Sequence, residues 1–164
     1  MKFNMNTNKV ISILIAIFVI AIIAYLLSRF FMNNFLLSNK TPTAIIDNHQ
    51  FQLLITITTL DKEVGLSKYK SIPLNQGMIF SFGAADYYPF WMKNMTFAID
   101  IIYLKNNKIV SIFQNVKPPG SSSESPPIYR PSQPADTVLE INAGLSKKYN
   151  FKNGDQIKYE NFSD

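Results

Sequence analysis

Val10 to Leu27 (VISILIAIFVIAIIAYLL) is an uncharged apolar run broken only by Ser12, and it divides the chain into parts suited to different solvents. At the helical rise of ~1.5 Å per residue such a run reaches ~27 Å, close to the ~30 Å hydrocarbon core of a bilayer. It is apolar on every side of a helix and has no polar face to turn to water. A buried core helix and a cleaved signal peptide are the competing readings. Uncharged runs of this length are usually membrane spans. Signal-peptide cores cover about 7–15 residues and end at a small-residue cleavage pattern, which does not follow here. A single uncleaved anchor over residues 10–28, with the lipid bilayer as its partner, is therefore expected. Arg29, Phe30 and Phe31 suit the far interface, where charged and aromatic groups sit at headgroup level.

Orientation follows from the flanking charges. Lys2, Lys9 and the α-amine precede the run; Arg29 and Lys40 follow it. The slight excess places the tail, residues 1–9, in the cytoplasm. The expected location is the cell membrane, single-pass, with the C-terminal part outside. Residues 29–44 read as a linker and residues 45–164 as the domain.

The same division disposes of the formal charge of +5. Lys2, Lys9, Arg29 and Lys40 supply +4 of it, and no acid precedes residue 41. The remainder has twelve basic and eleven acidic residues, a balance of +1. A nucleic-acid binder concentrates positive charge on its binding domain, so no nucleic-acid partner is expected. The chain has no Cys, which excludes thiol nucleophiles, disulfides and thiolate metal sites. Its one His, His49, cannot build a multi-histidine metal centre and reads as a surface residue at a loop edge. No metal and no cofactor are expected.

The rest of the chain reads mostly as strands. Residues 51–58 are rich in β-branched side chains, with Phe51, Leu53, Ile55 and Ile57 on one face. A short helical turn over 59–66 ends near Gly65. Further strands are expected at 78–82, 98–104, 108–113, 137–141 and 156–159. Residues 98–104 are nearly all apolar, as in a strand buried on both faces. Asn tolerates positive φ, so Asn106-Asn107 suits a two-residue hairpin turn. Residues 144–149 fit one or two helical turns. Lys117 to Pro134 holds six of the nine prolines and is expected to be a long loop. Gly120 to Ser125 reads as a surface excursion, whereas Pro127-Ile128-Tyr129-Arg130 has an aromatic and a guanidinium able to dock back on the domain.

One stretch is unusual in chemistry. Phe90-Trp91-Met92-Lys93-Asn94 runs into Ile99-Asp100-Ile101, placing Lys, Asn and Asp among large apolar side chains. Burying such groups costs several kcal/mol unless they are paired. This block, with Gly77-Met78-Ile79-Phe80, Pro118-Pro119, Tyr129, Val138-Leu139-Glu140, Ala143-Gly144 and Gly154-Asp155, resembles domain-of-unknown-function family 192 over residues about 45–160. The resemblance implies a mainly β (α+β) domain, compact and barrel-like with short helices, here preceded by one transmembrane helix. It implies no reaction. The chain departs from many relatives at Ser67, at Met95 and in the proline loop, where relatives have a Cys pair and this chain has Ser and Pro.

Three readings of the polar residues stay open. In the first, the domain is a non-enzymatic binding module for a small polar or envelope ligand: Trp91 and Tyr129 stack, and Lys93, Asn94, Asp100 and Arg130 orient polar groups. In the second, Asp100 and Glu140 are paired carboxylates of a hydrolase acting on envelope carbohydrate, which requires them about 5–9.5 Å apart. In the third, the residues form a scaffold: Asn94 supports a turn and Lys93 pairs with Asp100. The sequons at Asn94-Met95-Thr96 and Asn161-Phe162-Ser163 read as coincidence in a prokaryotic-looking chain.

Overall fold

The computed structural model of the chain describes residues 7–38, 40–120 and 126–162. Residues 1–6 of the tail with Lys2, the 121–125 part of the proline loop and Ser163 of the second sequon lie outside the described residues. Two compact units are present, Met1–Lys40 and Thr41–Asp164.

The first unit is one helix, α1 (Thr7–Ser38). Its segment Thr7–Asn33, with a mean hydropathy of 3.2, is long and apolar enough to cross a membrane. The helix continues to Ser38, into residues that the sequence reads as linker.

The second unit is built on one seven-stranded sheet of order β6-β5-β8-β3-β2-β1-β9. Its strands are β1 (Thr43–Ile46), β2 (His49–Ile55), β3 (Gln76–Asp86), β5 (Ile99–Lys105), β6 (Lys108–Val116), β8 (Ala135–Asn142) and β9 (Ile157–Glu160). The short strands β4 (Phe90–Trp91) and β7 (Ile128–Tyr129) pair separately. Between β2 and β3, which run parallel, the chain forms α2 (Thr59–Val64) and a 3-10 turn (Gly65–Lys68). The single turn α3 (Leu145–Lys148) follows β8. The class is α+β: a mostly β half-barrel with short helices.

Turn chemistry sets the registers. Asn106 and Asn107 have φ of 49° and 61°, as a two-residue hairpin demands, and pair Lys105 with Lys108. Asp47 and Asn48, at 44° and 65°, make a second such hairpin between β1 and β2. That hairpin starts the sheet earlier than the sequence pattern had, within residues read as linker. Sheet ends meet through a Lys108–Gln156 bridge, with the Ile109 and Ile157 amides donating to the carbonyls of Asp155 and Asn107, each at 2.9 Å.

Alternation along β5 explains its nearly all-apolar pattern. Ile102 and Leu104 enter one core with Phe51, Leu139, Ile141 and Phe151. Ile99, Ile101 and Tyr103 enter the other with Leu66, Phe80, Met92 and Val138. Each fully buried aliphatic side chain contributes about 1.5–3 kcal/mol. The expected shared face of β2 is not realised past Leu53. The strand ends at Ile55, leaving Ile55 and Ile57 exposed (42% and 83%), and Thr56 turns in to donate its hydroxyl to the Ile79 carbonyl. His49 is not a plain surface residue: its ring stacks on Tyr149 at 3.7 Å.

Gly77 marks the closest approach in the sheet. A Cβ there would sit 2.9 Å from the Glu140 carbonyl oxygen and 3.0 Å from both Leu139 and Ile141 side chains. Backbone cannot yield as a flexible side chain can. Gly77→Ala is expected to destabilise the domain by about 1–3 kcal/mol, read as a lowered urea midpoint.

Candidate functional site

One cavity of about 310 Å³ opens beside β3, β4 and α2. Its position is set first by α2. Thr58 caps this helix: the Asp61 amide donates to the Thr58 hydroxyl at 3.1 Å, and the Thr58 amide and hydroxyl donate to the Asp61 carboxylate at 2.9 and 2.8 Å. Those bonds, the Thr58 amide first, hold the Asp61 carboxyl below its usual range. The chain then turns at Gly65, with φ of +52° and the Phe80 ring 3.5 Å from where a Cβ would stand. This brings Leu66 into the core and Lys62 over the Phe82 ring at 4.7 Å, its ammonium donating to the Ser81 carbonyl.

The opposite wall is aromatic. Phe90 stands edge-on to Phe80 at 5.0 Å and to Tyr103 at 5.7 Å. Phe82 stacks on Tyr88 at 3.7 Å. The Tyr103 hydroxyl donates to the carbonyls of Tyr129 (2.9 Å) and Tyr88 (3.2 Å), fastening the small β4–β7 ribbon to the main sheet. Burial, and then the nearby Glu140 carboxyl, push this phenol well above its usual range, against a smaller downward pull from Arg130. It is therefore a permanent donor at physiological pH.

Glu140 lines the cavity from β8 and is only 5% exposed. Burial alone pushes its carboxyl up to about 8. No hydrogen bond or ion pair holds it among the described residues. Native proteins rarely leave so buried a carboxyl unpaired.

Asp100 has the opposite character. It is fully buried, and its carboxylate accepts from the amides of Asn115 (2.7 Å), Gly144 (2.9 Å) and Ser146 (2.8 Å). It ties β6, the turn after β8 and α3 to β5. In the register Asp100 faces Ile141 and Ile101 faces Glu140. Side chains alternate along a strand, so the two carboxyls point to opposite faces of the sheet. The paired-carboxylate arrangement is therefore not formed, and Asp100 is not available to a ligand. The expected Lys93–Asp100 pair is absent as well, since Lys93 is exposed and lies over the Trp91 ring at 5.6 Å.

The remaining candidates separate. Trp91, half exposed, and Lys93 line the cavity. Asn94 does not. It is exposed, with φ of +60°, in the turn closed by the Met95 amide on the Met92 carbonyl. Tyr129 packs against Phe113 at 5.3 Å and lines a different groove with Pro118, Pro119 and Pro127. Arg130 is exposed beyond it. The 127–130 segment does dock back, through pairing of Phe90 with Tyr129 and of Trp91 with Ile128. The sequence reading missed Leu66, Phe80, Phe82 and Met95 as cavity walls. The alternation of Met78, Phe80 and Phe82 along β3 is the signal that points to the two phenylalanines.

A family model described as Uncharacterized ACR, DUF192, matches residues 42–159. Two crystal structures share the fold. One, from Novosphingobium aromaticivorans DSM 12444, is of a protein of unknown function; it is 28% identical with a TM-score of 0.61, over 72% of this chain and 83% of the other. A second, from Sinorhizobium meliloti 1021, is described as "a putative transcription regulator"; it is 26% identical with a TM-score of 0.63, over 72% and 91%. No curated protein matches the chain.

Proposed function

The chain belongs to the DUF192 family, and from that footing we propose that residues 41–164 are a ligand-binding module held at a membrane by α1. The ligand site is the cavity beside Trp91. The observation that carries this reading is the cavity itself: about 310 Å³, walled by aromatic and aliphatic side chains, with one buried carboxyl as its polar anchor. Small-molecule sites have this make-up, mostly apolar with a few placed polar groups. Lys93 and Trp91 guard the mouth, while Asn94, Asp100, Tyr129 and Arg130 serve the frame around it. The domain's charge balance of +1 gives no electrostatic footing for nucleic acid.

Trp91 is the only Trp, so its emission reports on the mouth of the cavity. Small solutes with an apolar body and one polar group, benzyl alcohol among them, are expected to shift it saturably in the full-length chain in maltoside micelles. Ser67 is a wall residue, and Ser67→Phe is expected to weaken that response about tenfold or more. Emission that never saturates, or that ignores Ser67→Phe, would remove the cavity as a site.

We infer that the domain lies outside the cell, a reading supported by the basic residues that precede the span. A phosphatase fused after Asp164 is expected to be active. Activity of a cytoplasm-dependent reporter alone at that position would reverse the topology.

A further inference from the structure

Glu140 decides what kind of ligand the cavity suits. An acyl tail would leave the carboxyl unpaired, and an anion would meet it as a like charge wherever the carboxyl is ionised. A neutral carbonyl would use the carboxyl but not the rings. The walls already hold ammonium groups: Lys62 lies 4.7 Å from the centre of the Phe82 ring and Lys93 lies 5.6 Å from that of Trp91. Ring faces attract cations, more strongly where water is excluded.

Resting on the cavity being a ligand site, we propose that its ligand is an organic cation, an alkyl- or trimethylammonium group seated between the Glu140 carboxylate and the rings of Phe80 and Phe90. The charged and titratable groups around this seat are Lys62 and Glu63 from α2, Lys93 from the turn after β4, Tyr88, and Tyr103 from β5 with Arg130 beyond it. Lys62 is already engaged by the Ser81 carbonyl and Lys93 by Trp91. Neither neutralises Glu140, whose upward shift to about 8 has burial as its cause. Near neutral pH the carboxyl therefore holds a proton, and the incoming cation replaces it. The O–H bond breaks, its electron pair stays on the carboxylate, and the proton leaves to water.

The test compares choline with its neutral isostere, 3,3-dimethylbutan-1-ol, on the full-length chain in maltoside micelles, read by Trp91 emission and by proton release. Choline is expected to bind at least tenfold more tightly than the isostere at about pH 9. Its affinity is expected to fall about a hundredfold by about pH 6, because protonation of a group titrating near 8 competes. Glu140→Gln, which mimics the protonated carboxyl, is expected to lose both the preference and the pH dependence. Equal binding of the isostere, or pH-independent choline binding unchanged in Glu140→Gln, overturns the cation assignment and leaves the cavity as a site. If neither solute saturates at any pH, the cation assignment falls together with the cavity.

Discussion

Asp100→Ala is expected to destabilise the domain by about 3–5 kcal/mol, a large part of the about 5–15 kcal/mol that holds a typical domain folded. The Asp100 carboxylate is the acceptor for the amides of Asn115, Gly144 and Ser146, and its residue has no exposed surface. Removing it leaves the buried Ser146 N–H and the part-buried Asn115 and Gly144 N–H groups without their acceptor. Asp100→Asn keeps one oxygen but presents an amide N–H₂ to a cluster of donors, so it is expected to lose most of the same stability. Urea denaturation of the full-length chain followed by circular dichroism checks both. An Asp100→Ala midpoint close to wild type would mean that those amides find other acceptors and that Asp100 does not hold the fold together.

Glu140 predicts a second large effect, in pH. An unfolded Glu titrates near 4.5, whereas in the fold burial pushes it up to about 8. Between those values the folded chain keeps a proton that the unfolded chain has released. Unfolding therefore releases a proton, and stability falls as pH rises through this window, by about 1.4 kcal/mol per unit. Above about 8 both states are ionised and the loss levels off; below about 4.5 both are protonated and nothing is lost. Glu140→Gln carries no such titration. It is expected to match wild type near pH 4.5 and to exceed it by several kcal/mol, as an order of magnitude, above pH 8. A wild-type profile parallel to that of Glu140→Gln across the window would show that the carboxyl is solvated or paired in the fold.

The parts of this domain readable in the sequence are those fixed by local chemistry. Asn106-Asn107 announces its hairpin through tolerance of positive φ, and residues 99–104, apolar but for Asp100 and the Tyr103 hydroxyl, announce a strand buried on both faces. The turn at Gly65 is local too, whereas Thr58, read as the end of the 51–58 strand, caps α2. What stayed hidden depends on partners far along the chain. Asp100 and Glu140 look alike in sequence, each a carboxylate set in an apolar strand. Only the register of β5 against β8 sends one to a nest of amides and the other to an empty wall. The F-W-M-K-N block divides in the fold: Trp91 and Lys93 line the cavity, while Asn94 lies in the turn. The first hairpin was obscured because Thr43 to Ile46 is too short to show alternation before Asp47 and Asn48 reverse it.

The bridge between Lys108 and Gln156 has a consequence at the level of populations of molecules. An open sheet presents unpaired amides and carbonyls that a neighbour's strand can adopt, and edge-to-edge growth is a common route to aggregation. Here the outermost strands spend part of their bonding capacity on each other through Asn107, Ile109, Asp155 and Ile157. Copies crowded together therefore find few vacant strand edges at that end, and the domain can be held at high local density without its sheets templating one another.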